Sequence, residues 1–367
     1  MTRFSRQITL PQIGEAGQHR LEASKVLCIG AGGLGSPALL YLASAGVGEL
    51  TVMDPDTVDL SNLHRQTLLT EADLGKSKAI AAAQRLRAIH SKSSKMRVEG
   101  VVEAFSPENA ERRAKSVDVI LDCSDNFETR FLANEIAVKN RIPLIHAAAT
   151  GFEGQIGIFW AERGACYRCL QSRSPQALIQ NCELQGVLGP VVGALGVLQA
   201  QLALQFLISG GDPTHPLYPE IGRITVVDLS RAWHFSSLQV PKRKGCVGCG
   251  GRHALQSAFI TASELKKKRS SPESTPILID LRASPIRDEQ RISGAIPVSL
   301  ERLQEGLWPD AIHALKKDAP LVVFCKQGVH SPRAVDLLED QGFTHVQSLL
   351  GGFEAWMRLD DRKEHGP

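Results

Sequence analysis

The eight cysteines are the residues of this 367-residue chain whose spacing points most directly to chemistry. Four of them form two Cys-x-x-Cys pairs, Cys166 with Cys169 and Cys246 with Cys249. Two such pairs can supply the four thiolates of a tetrahedral Zn²⁺ site, whereas one pair alone could equally be a redox motif. Neither pair stands at a thioredoxin-like strand–helix junction, so we expect the four thiolates to hold a structural zinc ion.

Three of the remaining cysteines have unremarkable or ambiguous surroundings. Cys28 and Cys123 lie in or beside apolar segments that are typical of strands, and we expect both to be core thiols. Cys182 lies unpaired in a loop-like stretch between about residues 162 and 186, which is longer than structureless loops usually are. Both an active and an inert role are open for this thiol.

Cys325 follows the apolar segment 321–324 and opens the loop CKQGVHS at 325–331. Backbone N–H groups of the loop and the N-terminus of the following helix would point at this sulfur and stabilise an anionic persulfide. The alternative is an inert thiol at the end of a strand. Cys-based phosphatases use a similar loop, but they require Arg six residues after the cysteine, where this chain has Ser331. We therefore predict that Cys325 carries a persulfide.

A glycine-rich turn marks a second candidate site. Directly after the apolar segment 25–29, Gly30, Gly32 and Gly35 form Gly-x-Gly-x-x-Gly, with Gly33 as an additional glycine inside the motif. Such glycines let backbone N–H groups approach phosphates at a helix N-terminus, whose dipole favours negative charge. The motif predicts a nucleotide site, but it suits NAD, FAD and ATP alike.

Charged residues near this turn distinguish between the nucleotides. Asp54 ends the next predicted strand, where its carboxylate can accept hydrogen bonds from ribose hydroxyls. Asn62, Arg65 and Lys78 follow it, and Asp125 comes just after another predicted strand. Attack on the α-phosphate of ATP needs cations around the phosphates and a carboxylate that holds Mg²⁺, whereas a hydride carrier needs no such cations. The set therefore favours an enzyme that uses ATP.

The elements that must position these residues alternate between strand and helix. Apolar runs typical of buried strands occur at 25–29, 50–54, 117–121, 143–147 and 155–160. Helix-compatible segments separate the first of these runs. The alternation predicts an α/β fold with a doubly wound, Rossmann-like, mostly parallel sheet.

A second unit begins after residue 255. Two more buried strands, at 277–281 and 321–324, predict a further α/β domain. Thr261 and Glu264 have capping-box spacing for a short helix. The basic run that follows, with Ser-Ser-Pro after it, predicts an exposed loop. We place the first domain at residues 1–250 and the second at residues 258–367.

Composition and charge exclude several classes of protein. Lys and Arg total 42 against 39 for Asp and Glu, a near balance that gives no support for a nucleic-acid or membrane-surface partner. The hydrophobic fraction of 43% excludes a disordered chain. We expect the apolar segment 187–208, which contains three glutamines, to be a buried helix and not a membrane span. With no signal-like run at the N-terminus, the expected location is a reducing cytoplasm, where cysteines stay unpaired.

Five segments of the chain resemble those of one family. They are RFSRQ at 3–7, GAGGLG at 30–35, DPD at 54–56, SNLHRQ at 61–66 and DCSDN at 122–126. From residue 1 to about 250 the chain resembles the molybdopterin-synthase adenylyltransferase and ThiF group of the ubiquitin-activating-enzyme superfamily. The resemblance implies adenylation, by ATP, of the C-terminal Gly-Gly carboxylate of a small ubiquitin-like sulfur-carrier protein. It also agrees with a structural zinc ion.

Motif matching to this family implies a role for each residue of the nucleotide site. Asp54 would hold the ribose. Asn62, Arg65 and Lys78 would contact the phosphates, and Asp125 would bind Mg²⁺.

Two residues outside that set also gain roles from the resemblance. Arg6 would reach the ATP of the neighbouring subunit, because members of the family form homodimers. In some relatives the segment around Cys182 carries a cysteine that forms a thioester or an acyl-disulfide with the carrier, and in others that cysteine is dispensable.

Residues 258 to 360 resemble a rhodanese domain. The segments DLR at 280–282, GAIP at 294–297 and LGGFEAW at 350–356 are similar to motifs that recur in such domains. This implies sulfur transfer from Cys325 to the acyl-adenylate, with a donor such as a cysteine desulfurase supplying the sulfur. His330 is a departure, since many rhodaneses of this arrangement carry Arg there. An imidazole would bind an anionic donor such as thiosulfate less well than a guanidinium.

Two other functions are open on the sequence alone. A nicotinamide-dependent oxidoreductase would use the same glycine turn, but it leaves Arg65, Lys78 and the second domain without a role. An adenylating enzyme whose second domain only docks a partner would not need a cysteine at position 325. Molybdenum cofactor, thiamine, thiolated tRNA and amino-acid pathways all use such proteins, and the sequence does not distinguish between them.

Overall fold

The chain divides into two compact units, each with its own sheet and core. The computed structural model describes residues 3–89, 96–171, 186–246, 248–250, 259–270, 275–282, 292–326, 328 and 330–357. The first unit contains the described residues up to 170 and those from 186 to 250, and the second contains residues from 259 to 357.

The first unit is built on an eight-stranded sheet. Its strands are β1 (Lys25–Ile29), β2 (Glu49–Met53), β3 (Arg97–Val101), β4 (Val119–Asp122), β5 (Leu144–Thr150), β6 (Glu153–Phe159), β7 (Arg223–Asp228) and β8 (His234–Gln239). Their order is β3-β2-β1-β4-β5-β6-β7-β8, parallel from β3 to β5 and antiparallel from there to β8. The strand order reverses between β1 and β4, so the loops that follow these two strands meet at one edge. The predicted doubly wound, mostly parallel sheet is confirmed.

Helices cover this sheet. They are α1 (Ser5–Ile8), α2 (Gly14–Ala23), α3 (Gly35–Ala45), α4 (Lys78–Ile89), α5 (Pro107–Ala114), α6 (Phe127–Asn140), α7 (Tyr167–Leu170) and α8 (Gly189–Ser209), with short 3-10 turns at Leu60–Asn62 and Glu71–Asp73. Successive side chains of β1 point to opposite faces of the sheet, and Val26, Leu27, Cys28 and Ile29 are all buried. Both faces are therefore covered, as a parallel sheet of continuous apolar strands requires.

Helix α8 is long and apolar enough to cross a membrane by length and composition alone. Its side chains of Val191, Leu195 and Ala203 nevertheless belong to the hydrophobic core of the first unit. Gln199, on the same helix, is fully buried and donates to the backbone oxygens of Asp122 at 2.8 Å and Ile145 at 3.1 Å. The predicted buried helix is confirmed.

The second unit is a five-stranded parallel sheet with helices. Its strands are β9 (Phe259–Ile260), β10 (Ile277–Asp280), β11 (Ile296–Pro297), β12 (Leu321–Phe324) and β13 (Val346–Leu349), in the order β11-β10-β12-β13-β9. Its helices are α9 (Ala262–Arg269), α10 (Leu300–Gln304), α11 (Asp310–His313) and α12 (Ser331–Asp340). A second α/β domain is confirmed, and β12 delivers Cys325 at its carboxyl end as predicted.

The basic run at 266–269 forms the last turn of α9, so the predicted loop was wrong there. The Glu264 carboxylate accepts from the backbone N–H of Thr261 at 3.0 Å, which completes the capping box at the start of the helix. The negative end of the helix dipole then favours cations in the final turn. The capping box at Thr261 and Glu264 therefore predicted the structure of residues 266–269 better than their charge did.

Close packing between α8 and the glycine turn generates a stability prediction. A Cβ added at Gly196 would overlap the carbonyl oxygen of Leu34 and lie 2.6 Å from Cγ of Pro37. We expect Gly196→Ala to lower the free energy of unfolding by about 1–3 kcal/mol, as overpacking does. Urea denaturation followed by circular dichroism measures it.

Gly193 on the same helix is a matched control, because no atom lies within 4 Å of a Cβ added there. Gly193→Ala is expected to raise the free energy of unfolding by about 0.5–1 kcal/mol through helix propensity. Equal stability of the two variants would contradict the close approach of α8 to the turn.

Candidate functional sites

The glycine turn between β1 and α3 has close contacts at Gly30 and Gly35 and free space at Gly32. Gly30 has a φ of +100°, and a Cβ there would lie 2.7 Å from the carbonyl oxygen of Cys123. A Cβ at Gly35 would overlap the carbonyl oxygen of Gly30. At Gly32 a Cβ would meet only Nε2 of Gln66, at 3.8 Å. The N–H groups near Gly32 therefore have room for the phosphates of a nucleotide.

Asp54 shapes this turn from the end of β2. Its carboxylate accepts from the backbone N–H groups of Ala31 at 2.8 Å and Asp56 at 2.9 Å. Burial raises the pKa of the Asp54 carboxyl despite these two hydrogen bonds. Asp54 lies where the sequence predicted it, and its contact with ribose stays a prediction.

The predicted cations lie near the turn and already have carboxylate or amide partners. Arg65 donates through Nη2 to Oδ1 of Asn62 at 2.7 Å, and its Cγ would lie 3.4 Å from a Cβ at Gly33. Lys78 is buried at the start of α4 and donates through Nζ to Oδ2 of the exposed Asp56 at 2.8 Å. Because Asp56 faces solvent, an incoming phosphate can replace it as the partner of Lys78.

Two other predicted residues stand apart from these contacts. Arg6, in α1, is exposed, and its guanidinium makes no hydrogen bond or ion pair with any residue that the structure describes. Cys182 lies outside the described residues.

Asp125 lies exposed in the loop between β4 and α6. The Nδ2 group of Asn126 approaches Oδ1 of Asp125 at 3.4 Å, while Oδ1 of Asn126 accepts from the backbone N–H of Thr129 at 2.8 Å. Asn126 thereby caps α6. The Asp125 carboxylate remains available for a cation.

A fully buried carboxylate fixes the conformation of this loop. Asp122 ends β4, and its Oδ2 accepts from Nε of Arg130 at 3.1 Å and from Nδ1 of His146 at 2.9 Å. Its Oδ1 accepts from the backbone N–H of Ser124 at 3.1 Å, and Nη2 of Arg130 donates to the Ser124 carbonyl at 3.2 Å. Burial opposes the charge, but the His146 hydrogen bond and the Arg130 charge hold the pKa of Asp122 below its usual value.

His146 is neutral in this network. Its Nε2 lies 3.2 Å from Nε2 of Gln155, which can only donate, so the proton of His146 is on Nδ1 and is donated to Asp122. Burial, and then the charge of Arg130, lowers the pKa of His146 to about 4. Sequence reasoning missed this residue, although a histidine inside the apolar strand β5 was a signal.

The four predicted metal ligands lie together. The Sγ atom of Cys166 is 3.9 Å from that of Cys169 and 3.6 Å from that of Cys246, and Cys169 is 3.5 Å from Cys249. All four sulfurs lie within 4.8 Å of one another. Tetrahedral Zn²⁺ with ~2.3 Å bonds separates its sulfur ligands by about 3.8 Å, so the four thiolates fit this ion.

The backbone N–H groups predicted to point at the Cys325 sulfur, called the cradle below, are present at Gly328 and His330. The buried Sγ of Cys325 accepts from the backbone N–H groups of Gly328 at 3.1 Å and His330 at 3.3 Å. The hydroxyl of Ser331, at the start of α12, lies 3.8 Å from the same sulfur, and Ser348 on β13 donates to that hydroxyl at 2.9 Å. These donors can stabilise negative charge on the sulfur or on an atom bound to it.

Cys28 and Cys123 are buried in the core, as predicted, with their sulfurs 3.7 Å apart.

The first unit has a glycine turn with room for nucleotide phosphates, and the second has a cysteine whose sulfur accepts from two backbone N–H groups. An enzyme that couples a nucleotide-dependent reaction to a cysteine-dependent one needs both features. Residues 4–248 match the ThiF family and residues 261–359 match the rhodanese-like domain. The chain belongs to the ThiF family and carries a C-terminal rhodanese-like domain, as the motifs indicated. It is an adenylyltransferase with a sulfurtransferase domain.

Curated relatives carry both activities in their names. The chain is 35% identical to adenylyltransferase and sulfurtransferase MOCS3-1 of Zea mays, over 97% of this chain and 81% of that protein. It is 36% identical to MOCS3 of Sus scrofa, over 96% of this chain and 85% of that one. With UBA4 of Yarrowia lipolytica it shares 33% identity over 98% of this chain and 94% of the relative. Because these relatives are adenylyltransferases and sulfurtransferases, the alternative function of a nicotinamide-dependent oxidoreductase is excluded.

Solved structures share the fold of the first unit. The crystal structure of E. coli MccB with ATP matches with a TM-score of 0.57 and 22% identity, over 68% of this chain and 75% of that one. The structure of PaaA matches with a TM-score of 0.54 and 24% identity, over 66% and 73% of the two chains.

The neutral state of His146 generates a pH prediction. In the unfolded chain this residue binds a proton near its ordinary pKa of 6.5, but in the folded chain only near pH 4. The contribution of His146 to folding stability is therefore expected to fall as the pH is lowered from about 6.5 to about 4. Glu128, whose pKa is raised by burial from 4.5 to about 8, contributes in the opposite direction over much of this range. The low pKa of Asp122 adds its own loss only at still lower pH. Urea denaturation at pH steps across this range measures the slope.

His146→Gln removes the titrating group and keeps a polar side chain, so its free energy of unfolding is expected to rise relative to that of wild type as the pH is lowered from about 6.5 to about 4. His19→Gln, an exposed position on α2, is the matched control and should keep the wild-type slope. If His146→Gln and wild type lose stability in parallel as the pH falls, the neutral assignment is wrong.

Proposed function

We propose that this enzyme uses ATP to adenylate the C-terminal Gly-Gly carboxylate of a small ubiquitin-like sulfur-carrier protein, and then converts it to a thiocarboxylate with sulfur from Cys325. The observation that carries the proposal is the union, in one chain, of a glycine turn flanked by Arg65 and Lys78 with a cysteine cradled by N–H groups. The adenylation domain is taken as residues 1–250 and the sulfurtransferase domain as residues 258–367, in line with the family matches.

In the first step a carboxylate oxygen of the carrier attacks the α-phosphorus of ATP, and pyrophosphate leaves with its electron pair. The backbone N–H groups near Gly32 and the N-terminus of α3 bind phosphate oxygens. Arg65 and Lys78 supply positive charge where negative charge develops on the phosphates, and Asn62 orients Arg65. Asp54 is the candidate partner of the ribose hydroxyls.

Asp125 fits a magnesium ligand, because its exposed carboxylate has only a weak contact with the side chain of Asn126. A bound Mg²⁺ would neutralise phosphate charge beside the turn. Arg6 is assigned to the ATP of the partner subunit in a homodimer, which agrees with its exposure and its lack of a partner among the described residues.

The zinc ion has a structural role in this proposal. Four thiolates close the coordination sphere and leave no open position for a substrate, as is usual for structural Zn²⁺. Cys166, Cys169, Cys246 and Cys249 would hold it.

In the second step the terminal sulfur of a Cys325 persulfide attacks the acyl-adenylate carbonyl, and AMP leaves with the electron pair of the broken bond. A thiol then cleaves the resulting acyl disulfide: it bonds to the Cys325 sulfur, and the thiocarboxylate departs. Cys182 is the candidate for this thiol, or for prior capture of the acyl group as a thioester. The cradle of Gly328 and His330 N–H groups stabilises the anionic persulfide.

The sulfur donor to Cys325 is assigned as a protein persulfide, such as that of a cysteine desulfurase, and not as free thiosulfate. Lys326 on the loop lies 3.9 Å from Glu354, and the exposed His330 takes the place of a guanidinium. An imidazole at this position binds a small dianion less well than a guanidinium would. The cytoplasm, where persulfide carriers and ATP are both present, is the proposed location, and molybdenum cofactor or thiamine synthesis the proposed pathway.

Adenylation itself is tested by exchange of pyrophosphate into ATP in the presence of a carrier that ends in Gly-Gly. Asp125→Ala is expected to lower this exchange by about 100-fold or more, because the metal ligand is lost. Asp212→Ala, at an exposed turn after α8, is the control and should exchange like wild type. Intact exchange in Asp125→Ala would show that the assignment is wrong.

The separation of the two steps is tested with Cys325→Ala. This variant should keep pyrophosphate exchange and lose thiocarboxylate formation, measured by mass spectrometry of the carrier. Wild-type enzyme incubated with a persulfide donor should gain the mass of one sulfur on the peptide that contains Cys325. Loss of both activities would contradict separate steps, and absence of the added sulfur in wild type would leave the second domain as a docking module.

A further inference from the structure

One buried amide of the first unit has no hydrogen-bond partner for its side chain among the residues that the structure describes. Gln66 is 3% exposed, and its Oε1 is closed off from solvent without a donor. Within the described parts of the chain, its Nε2 has no acceptor either. Buried amides are almost always paired, so this exception needs a physical explanation.

Gln66 lies beside the glycine turn between β1 and α3. A Cβ added at Gly32 would meet Nε2 of Gln66 at 3.8 Å and nothing closer. At Gly33, the next residue, a Cβ would lie 3.4 Å from Cγ of Arg65. Two consecutive residues of one loop therefore face two consecutive residues of the turn, and the amide of Gln66 borders the open space at Gly32.

The backbone around Gln66 is held in place. Its N–H donates to the carbonyl oxygen of Asn62 at 3.0 Å, and its own carbonyl accepts from the N–H of Leu69 at 3.0 Å. Leu69 belongs to the hydrophobic core of the first unit. The side chain of Asn62 accepts from Nη2 of Arg65 at 2.7 Å. One anchored segment thus carries both the amide of Gln66 and the guanidinium of Arg65.

A side chain that only filled this space would be apolar. A buried amide without a partner destabilises a fold, because its polar atoms lose water and gain no hydrogen bond in return. Unpaired polar groups persist at functional sites, where a ligand supplies the missing partner. The ligand must offer an acceptor here, since the atom beside the open space is Nε2 and an amide nitrogen can only donate.

The order of groups along the nucleotide indicates which acceptor this is. In the proposed site the ribose lies at Asp54, whose carboxylate accepts from the N–H of Ala31 at 2.8 Å. Gly32 is the next residue of the turn, and the α-phosphate is the next group of the nucleotide after the ribose. Its oxygens accept charge-assisted hydrogen bonds, which are stronger than those between neutral groups.

We propose that Gln66 is a further residue of the nucleotide site and that its Nε2 donates to a non-bridging oxygen of the α-phosphate. This phosphate is the group that the carrier carboxylate attacks. A neutral donor at Gly32 and the cation of Arg65 would then bind the reacting end of ATP from one segment. The inference rests on the proposed adenylation function and adds a residue to that site.

Gln66→Met tests this contact, because methionine keeps the length and approximate volume of the side chain and removes both polar atoms. We expect the variant to be at least as stable to urea as wild type, since the buried amide has no partner to lose. Calorimetry without carrier is expected to show about 10-fold weaker binding of AMP and of a non-hydrolysable ATP analogue with Mg²⁺, as for loss of one hydrogen bond to a charged group. A purely structural residue would not combine retained stability with lost affinity.

Gln239→Met is the matched control. Gln239, at the end of β8, donates through Nε2 to the carbonyl oxygen of Ile221 at 2.9 Å, and β8 lies five strands from β1 in the sheet. This variant should bind both nucleotides like wild type. Gln66→Glu is a second variant, which keeps the shape of the amide but presents a carboxylate to the phosphate. It should weaken binding of the ATP analogue about 100-fold, because like charges then face each other. Circular dichroism checks that each form is folded.

Wild-type affinity of folded Gln66→Met for both nucleotides would overturn the inference. If that variant does not fold, wild-type affinity of folded Gln66→Glu has the same meaning. Weaker binding of the ATP analogue with unchanged binding of AMP would show that the contact is not with the α-phosphate. Failure of wild type itself to bind either nucleotide would instead contradict the adenylation function, and the wild-type titration alone distinguishes that case.

Discussion

The buried charge of Asp122 is the constraint on which the nucleotide site depends. A carboxylate with no access to water is tolerated only with a counter-charge and a full set of donors. Arg130 comes from α6, His146 from β5 and the Ser124 N–H from the loop itself. One charge thus fixes the relative positions of two strands, a helix and the loop of Asp125. Removal of one partner of such a pair costs about 3–5 kcal/mol, which makes the arrangement nearly all-or-none.

Backbone N–H groups give both units their anion chemistry. In the first unit they border an open space at Gly32, because the anion there is an incoming phosphate. In the second they converge on the Cys325 sulfur, which the proposed mechanism uses as a persulfide. Dipoles fixed by the fold need no reorganisation when charge appears, so the same arrangement of N–H groups suits both the proposed adenylyl transfer and the proposed sulfur transfer.

The features of the two sites that could be predicted from the sequence are those whose residues lie close together in the chain. The glycine turn and the Cys-x-x-Cys pairs carry their chemistry in fixed short spacings, and the structure places both as expected. The Asp122 network was not predictable, since its partners come from three segments and each alone resembles an ordinary residue: Arg130 a surface cation, His146 a core histidine. Only a fold that brings β4, β5 and α6 together gives them a common role.

Helix α7 has only four residues, which gives a physical reason for a metal cross-link at its cysteines. A helix of four residues cannot maintain itself, since nucleation alone costs more than one or two hydrogen bonds return. Its position must be set from outside, and Cys166 and Cys169 lie beside Cys246 and Cys249, far along the chain, in a cluster of four sulfurs that could hold a metal ion. Tyr167 packs against Phe131, Phe159 and His146 at ring separations of 4.6–5.9 Å. The four-cysteine cluster and the buried charge of Asp122 are therefore connected by the packing of Tyr167 on His146, whose Nδ1 lies 2.9 Å from Oδ2 of Asp122.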